Sequence, residues 1–317
     1  MDTKTPDTPE SEGRYMGLQE LEPSPVEDTP LEAEKDSYFP SPPSPSPSPK
    51  QPTLLSRATT FGLGDHGPAY YLLRIQKYSS YAFTIFAAFH ITNTSLIPLL
   101  TQSVQASDSY LLLTRPYYQS FPLEPLIVAL PLVAHVGSGL ALRLYRRNQS
   151  AKRYGAESRS DRRLVAWPKV SGTSALGFAL TFLVGGHAFI NRVLPLWLEG
   201  SSSNIGLEYV SHGFAKHPVV STLGFSTLVG VAAWHAVWGW AKWLRWNPDQ
   251  VTEGGGQGQL RKKQRWYTIN GISALVTVLW MAGGLGVVGR GGEVGGWMGR
   301  EYDAMYRRIP VVGHWLS

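Results

Sequence analysis

Four of the eight histidines, His90, His135, His187 and His235, each fall inside a long apolar stretch, one per stretch. An ionisable group is costly inside lipid and usually faces a bundle interior or a ligand. The other four, His66, His212, His217 and His314, fall in polar connections or tails and are expected to be solvated. His135 lies nine residues from the end of its stretch near 144, and His235 eight from the end near 243. At 1.5 Å per residue both sit about 12–13 Å in from one face. His90 and His187 lie about ten and six residues from stretch ends near 100 and 193, on the opposite face. The spacing predicts two layers, His135 with His235 and His90 with His187. A faint repeat accompanies them. His90 to His187 is 97 residues, His135 to His235 is 100, and Gly139 and Gly239 each follow a histidine by four.

Two imidazoles on facing helices at one depth are the axial complement of haem b. Neutral imidazole also suits a metal held in lipid. The cofactor-binding candidates are therefore His90, His135, His187 and His235, with His135 and His235 as the iron ligands. Gly139 and Gly239 would let a flat macrocycle approach the backbone, and Arg143, Arg146 and Arg147 would meet its propionates. The competing reading is interhelical hydrogen bonding by histidine. Both stay open at this stage. The chain has no Cys, which excludes disulfides, thiolate metal sites, thiol catalysis and an iron–sulfur cluster.

The elements that must position these residues are five apolar runs, at roughly 78–100, 122–144, 169–193, 219–243 and 267–289. Each is long enough for a helix to cross a hydrocarbon layer of about 30 Å. They are continuous rather than alternating, so helices are expected and not a barrel. The fold class read from the sequence is an all-α membrane protein, a bundle of five transmembrane helices behind a disordered acidic, Pro-rich N-terminal tail. The divisions are 1–65 for the tail, 66–290 for the membrane domain and 291–317 for a short C-terminal segment across the membrane.

Charge sets the orientation. The connection between the second and third runs carries nine Lys/Arg against Glu157 and Asp161. The one between the fourth and fifth carries six against Asp249 and Glu253. Both lie on the N-terminal side, which the positive-inside rule makes cytoplasmic. Trp238, Trp240, Trp243 and Trp246 crowd the same end of the fourth run and read as an interfacial belt. Residues 1–60 hold 5 Lys+Arg against 11 Asp+Glu and end in a Pro-Ser repeat, a composition that favours extended, unpacked chain. No secretory signal opens the sequence, and MDTKTPDTPESEG is too acidic for a cleaved mitochondrial presequence.

One His in each of the first four of five spans resembles the cytochrome b anchor subunits of fumarate reductase and succinate dehydrogenase. Those subunits carry their histidines on a different order of helices. The acidic Pro-rich tail, the basic connections, and the stretches from Tyr70 to Asn93 and from Arg265 to Val276 resemble another group more closely. That group is the fungal family of mitochondrial outer-membrane proteins that compensate for loss of the ER–mitochondria tether (the Mdm-ten-complementing family), whose membrane region is distantly similar to the anchor subunits. The resemblance implies the outer membrane, with the N-terminus cytosolic and the C-terminus in the intermembrane space. It implies a role in lipid homeostasis, membrane lipids as partners, and a Pro-x-Pro motif that recruits a cytosolic bridge-like lipid-transfer protein at membrane contact sites. The matching segment is Leu18 to Asp28, with Pro23 and Pro25 as the motif and Leu18, Leu21 and Val26 as anchors. Tyr38 to Pro49 is a second, poorer candidate.

The leading expectation is thus a non-enzymatic receptor. The alternative is a transmembrane cytochrome with bis-His haem b. A secondary transporter is disfavoured, because no run carries Asp or Glu at mid-depth. Gly254–Gly258 and Gly283–Gly292 lack the Lys-Ser/Thr of a phosphate loop, and no motif for nucleic acid is present.

Overall fold

Apolar length decides the architecture. In the computed structural model, which describes residues 66–156, 158–310 and 313, five helices are long and apolar enough to cross a membrane. They are α1 (Pro68–Thr101), α3 (Pro125–Arg153), α5 (Gly172–Glu199), α7 (Pro218–Trp243) and α8 (Gly255–Gly284). Shorter helices connect or follow them: α2 (Val104–Thr114), α4 (Arg159–Leu164), α6 (Leu207–Lys216) and α9 (Gly296–Arg307). Among the described residues there is no strand. The expected tail, with Leu18, Leu21, Pro23, Pro25 and Val26, lies outside the described residues, as does His314.

Each apolar run falls largely on one spanning helix, but the ends differ: the helices overrun some run ends, while three runs begin or end a few residues outside their helix. α1 begins ten residues before 78 and α3 continues nine past 144. Polar turns such as Arg74–Lys77 and Arg146–Arg153 are good helix formers that an apolar window leaves out. Local chemistry fixes several ends. The Ser171 hydroxyl accepts from Ser174 N–H at the start of α5, and Ser103 caps α2 in the same way. α5 ends on Gly200, whose φ of 67° suits glycine.

Three of the spans carry a π-helical turn: Thr92–Leu96 in α1, Phe189–Val193 in α5 and Pro125–Ala129 at the start of α3. All three have one cause. Pro98, Pro131 and Pro195 lack an N–H, and their rings crowd the carbonyl four residues back. The helix widens by one residue just before each, so that Ile97 N–H reaches Thr92 O, Leu130 N–H reaches Pro125 O and Leu194 N–H reaches Phe189 O. The turns of α1 and α5 repeat at 97 residues, as do Pro98 and Pro195.

Packing is uneven. α5 and α7 approach closely along their lengths, and α7 does so against α8. α8 also holds the π turn of α1: Ser95 Oγ donates to Trp280 O (2.6 Å), and a Cβ on Gly283 would overlap the Ser95 carbonyl. The first turns of α1 and most of α3 make no comparable run of close backbone approaches. At the end of the bundle away from the basic connections, α6 and α9 enclose a small core of Ile205, Tyr209, Tyr302, Met305 and Tyr306.

Candidate functional site

The four histidines predicted from spacing meet in the two predicted pairs. The His135 and His235 ring centres are 6.1 Å apart with planes at 81°. Those of His90 and His187 are 5.8 Å apart at 74°. Each pair joins the α1–α3 side of the bundle to the α5–α7 side.

In the basic-face pair each ring is held by a backbone carbonyl. His135 Nδ1 lies 3.0 Å from Gln76 O, and His235 Nδ1 lies 3.0 Å from Thr173 O. A carbonyl only accepts, so both Nδ1 atoms carry the proton and donate it. In the neutral tautomer that this contact favours, Nε2 is the nitrogen free to bind a metal. Gln76 and Thr173 are themselves 97 residues apart, so the histidine and its carbonyl partner are both duplicated. Two imidazoles on opposite sides of one metal ion, at metal–nitrogen distances near ~2.0–2.1 Å, place their ring centres about 6 Å apart. Among the described residues no cluster of three or more His, Asp or Glu could hold a bare ion. A haem, which brings its own ring nitrogens, would need only His135 and His235 from the protein.

The opposite-face pair is built differently. Neither of its rings has a carbonyl acceptor among the described residues. Asn191 Nδ2 points at His187 Nδ1 (3.4 Å) while donating to His187 O (2.8 Å), and the His90 ring stacks on Phe86 at 5.7 Å. Along both α1 (76 to 90) and α5 (173 to 187) the layers are fourteen residues apart, about 21 Å. The basic-face layer is level with Lys77 and with the first turn of α5. It therefore sits nearer the surface than the count of eight or nine residues along α3 and α7 implies, because those two helices run on past their neighbours.

Space beside the rings is only partly as expected. A Cβ on Gly239 would meet nothing within 4 Å, and the same holds at Gly137, Gly185 and Gly186. Gly139 is occupied differently, since its Cβ would lie 2.9 Å from the Gln76 side chain. The glycine that admits an imidazole is Gly177, where a Cβ would come within 2.8 Å of the His235 ring. The expected propionate partners are tied elsewhere: Arg143 Nη2 donates to Pro168 O (3.0 Å) and the Arg147 guanidinium covers the Trp167 ring at 3.7 Å.

One reading needs correction. His212 is not solvated but fully buried under α9: its Nδ1 accepts from Val294 N–H (3.1 Å) and its Nε2–H donates to Asp303 Oδ1 (3.1 Å). Trp238 and Trp240, read as part of an interfacial belt, also make contacts within the bundle. Trp238 joins Trp234 in donating to Asn270 Oδ1 (3.5 and 3.0 Å), and Trp240 stacks on Tyr81 at 4.8 Å.

Sequence reasoning also missed two arginines. Arg115 is buried and donates to Ser202 O (2.6 Å), Ile205 O (2.7 Å) and Gln119 Oε1 (2.8 Å). Arg192 forms a two-point ion pair with Glu124 of α3. Burial holds the Arg115 pKa below its ordinary value, and raises that of Tyr118 beside it.

Residues 182–293 match the family model described as MDM10-complementing protein 1, transmembrane domain. The matched stretch runs from the second half of α5 through α8, and it contains one histidine of each pair, His187 and His235. No curated protein and no solved structure matches the chain.

Proposed function

We propose that this multi-pass membrane protein acts in mitochondrial lipid homeostasis as a non-enzymatic receptor in the outer membrane. The similarity of residues 182–293 to the MDM10-complementing transmembrane domain carries this reading. The N-terminal tail would be the working end, facing the cytosol on the side of the basic connections. Leu18, Leu21, Pro23, Pro25 and Val26 would form the peptide that engages a bridge-like lipid-transfer protein, its aliphatic side chains filling pockets beside the two prolines. Deletion of residues 18–28 tests it. Loss of partner recruitment to mitochondria, with the five spans still inserted, is the expected result. Normal recruitment by the deleted protein overturns it.

The geometry of the histidine pairs favours a second property, binding of haem b inside the bundle. What supports it is the basic-face pair, two facing imidazoles each held by a carbonyl through Nδ1. His135 and His235 would be the axial ligands, and His90 with His187 a second, less prepared pair. When bound, the haem would supply one-electron chemistry or a structural tie. The protein's own part is to hold two neutral imidazoles at one depth and keep water out. Oxidised and reduced absorption spectra of the purified protein, with a haem-to-protein ratio, test it. Sharp reduced bands that disappear in His135→Ala and His235→Ala are expected. A featureless spectrum from haem-replete cells returns the histidines to a packing role. The two readings are compatible, because a haem can stiffen a receptor.

A further inference from the structure

At the end of the bundle away from the basic connections, the chain that follows α8 is pressed against two other elements. A Cβ on Gly291 would lie 2.5 Å from Val104 of α2 and 2.9 Å from Ser211 of α6. Gly292 turns the chain with a φ of 89°, and Val294 N–H is then held by His212 Nδ1 (3.1 Å). Between this fastened segment, α6 and the turn from α1 into α2 lies a cavity of about 580 Å³. That volume is within the range of small-molecule sites.

The charges that line the cavity do not close on one another. Glu293 has its own cation in Lys216. Arg290 and Glu208 share the cavity, yet among the described residues neither forms an ion pair. They come from different elements, Glu208 from the first turn of α6 and Arg290 from the segment that Gly291 brings in. One cation and one anion are thus left over in one cavity. Two neutral groups stand with them. Ser103 Oγ accepts from Ala106 N–H as the cap of α2, which leaves its hydrogen to donate. Gln102 Nε2 donates to Leu99 O, which leaves Oε1 to accept. Gln102 also sits at a φ of 53°, where a helix end ordinarily takes glycine, so the cavity keeps this side chain at a backbone cost.

A ligand that satisfies all four groups carries both signs. A phosphate would take Arg290 and Ser103, and an ammonium would take Glu208 and Gln102. The ammonium must be one with hydrogens to give. Quaternary ammonium groups are held by aromatic rings, and none of the described residues lining the cavity is aromatic. A carboxylate and an amide oxygen instead accept N–H bonds.

We propose that this cavity binds a phosphoethanolamine group, a phosphate ester carrying a primary ammonium. A phospholipid headgroup and a water-soluble ester share this chemistry. The proposal needs neither the tail motif nor a haem.

Equilibrium binding to the full chain, purified in detergent, tests it with two probes. One is soluble glycerophosphoethanolamine. The other is phosphatidylethanolamine with a fluorescent acyl chain, delivered in mixed micelles. Saturable binding is expected, at least about tenfold weaker for the corresponding choline ester. It should also weaken at least about tenfold in Arg290→Gln and in Glu208→Gln. Arg300→Gln, exposed and outside the cavity, should bind as the unaltered chain does. Binding of both probes, each displacing the other, assigns recognition to the headgroup itself. Binding of the lipid alone assigns a membrane ligand, and binding of the soluble ester alone a free one. Equal binding of the ethanolamine and choline forms overturns the proposal whatever the variants do. So does undiminished binding in either cavity variant, or the lack of saturable binding of either probe.

Discussion

At the residue scale the decisive features are close approaches. Ser95, inside the π turn of α1, donates to the Trp280 carbonyl of α8, and this contact exists because Gly283 has no side chain. An added methyl there collides with backbone, which cannot swing away. Gly283→Ala should therefore destabilise the bundle by about 1–3 kcal/mol. Gly271→Ala, on the same helix with nothing within 4 Å of the new Cβ, should stay within about 0.5 kcal/mol or gain slightly from helix propensity. Unfolding midpoints in detergent, compared side by side, check the pair. Equal midpoints would mean that α1 and α8 do not meet at Ser95. Gly177 gives a parallel case: Gly177→Val should displace the His235 ring and lower any haem-to-protein ratio, whereas Gly239→Ala should leave it unchanged. At this scale the sequence was legible for the histidines, because four ionisable groups in four apolar runs have a depth that can be counted. It was silent on Gly177, and it read the Gly283–Gly292 run as close helix packing without naming a partner. A glycine's value lies in which atom approaches it, and both partners are more than fifty residues away.

At the element scale the apolar runs were legible and their extensions were not. Hydropathy registers what lipid requires, and the polar turns of α1 and α3 lie outside lipid. The π turns could have been anticipated from Ile-Pro-Leu (97–99), Leu-Pro-Leu (130–132) and Leu-Pro-Leu (194–196), where proline inside an apolar helix demands a backbone adjustment. Burial of His212 was hidden because its cover, α9, comes about ninety residues later. The signal was Tyr302, Met305 and Tyr306, at i, i+3 and i+4, which is the apolar face of a docking helix. That docking has an alkaline limit. Tyr306 Oη donates to Tyr209 O and Tyr302 Oη to Asn204 O, both at 2.9 Å. Burial raises the pKa of all three tyrosines, that of Tyr302 to about 12. In the unfolded chain tyrosine ionises near 10. The stabilisation is thus complete below about pH 10 and is lost as pH rises through the folded values. A titration of tyrosinate absorbance should show a late-ionising group of residues whose ionisation coincides with exposure of α9 to protease. Tyr302→Phe should remove one late tyrosine and bring α9 release to lower pH. Ionisation of every tyrosine near 10 with α9 still docked would contradict the burial argument.

At the scale of the whole molecule the bundle is two similar halves with a fifth helix, and the halves are joined unequally. α5, α7 and α8 pack along their lengths, and α8 also grips the far end of α1. Near the basic face, α1 and α3 reach α5 and α7 through side chains: the His135–His235 pair, and Tyr81 stacked on Trp240. A group bound between His135 and His235 would then act as a tie between the two halves near the basic face. Removing it should loosen α3 more than any other span. The Cys-free chain allows a direct reading, with Gly137→Cys on α3 and Gly271→Cys on α8 each labelled by a maleimide in membranes from haem-replete and haem-depleted cells. Both positions leave open space for a side chain. Gly137→Cys should react several-fold faster after depletion, Gly271→Cys should not change, and His135→Ala should abolish the difference by making α3 reactive under both conditions. Equal reactivity at Gly137→Cys with and without haem would mean that near the basic face the two halves hold together through side-chain contacts such as Tyr81 on Trp240. The paired imidazoles would then be a polar contact between the halves and not a cofactor tie.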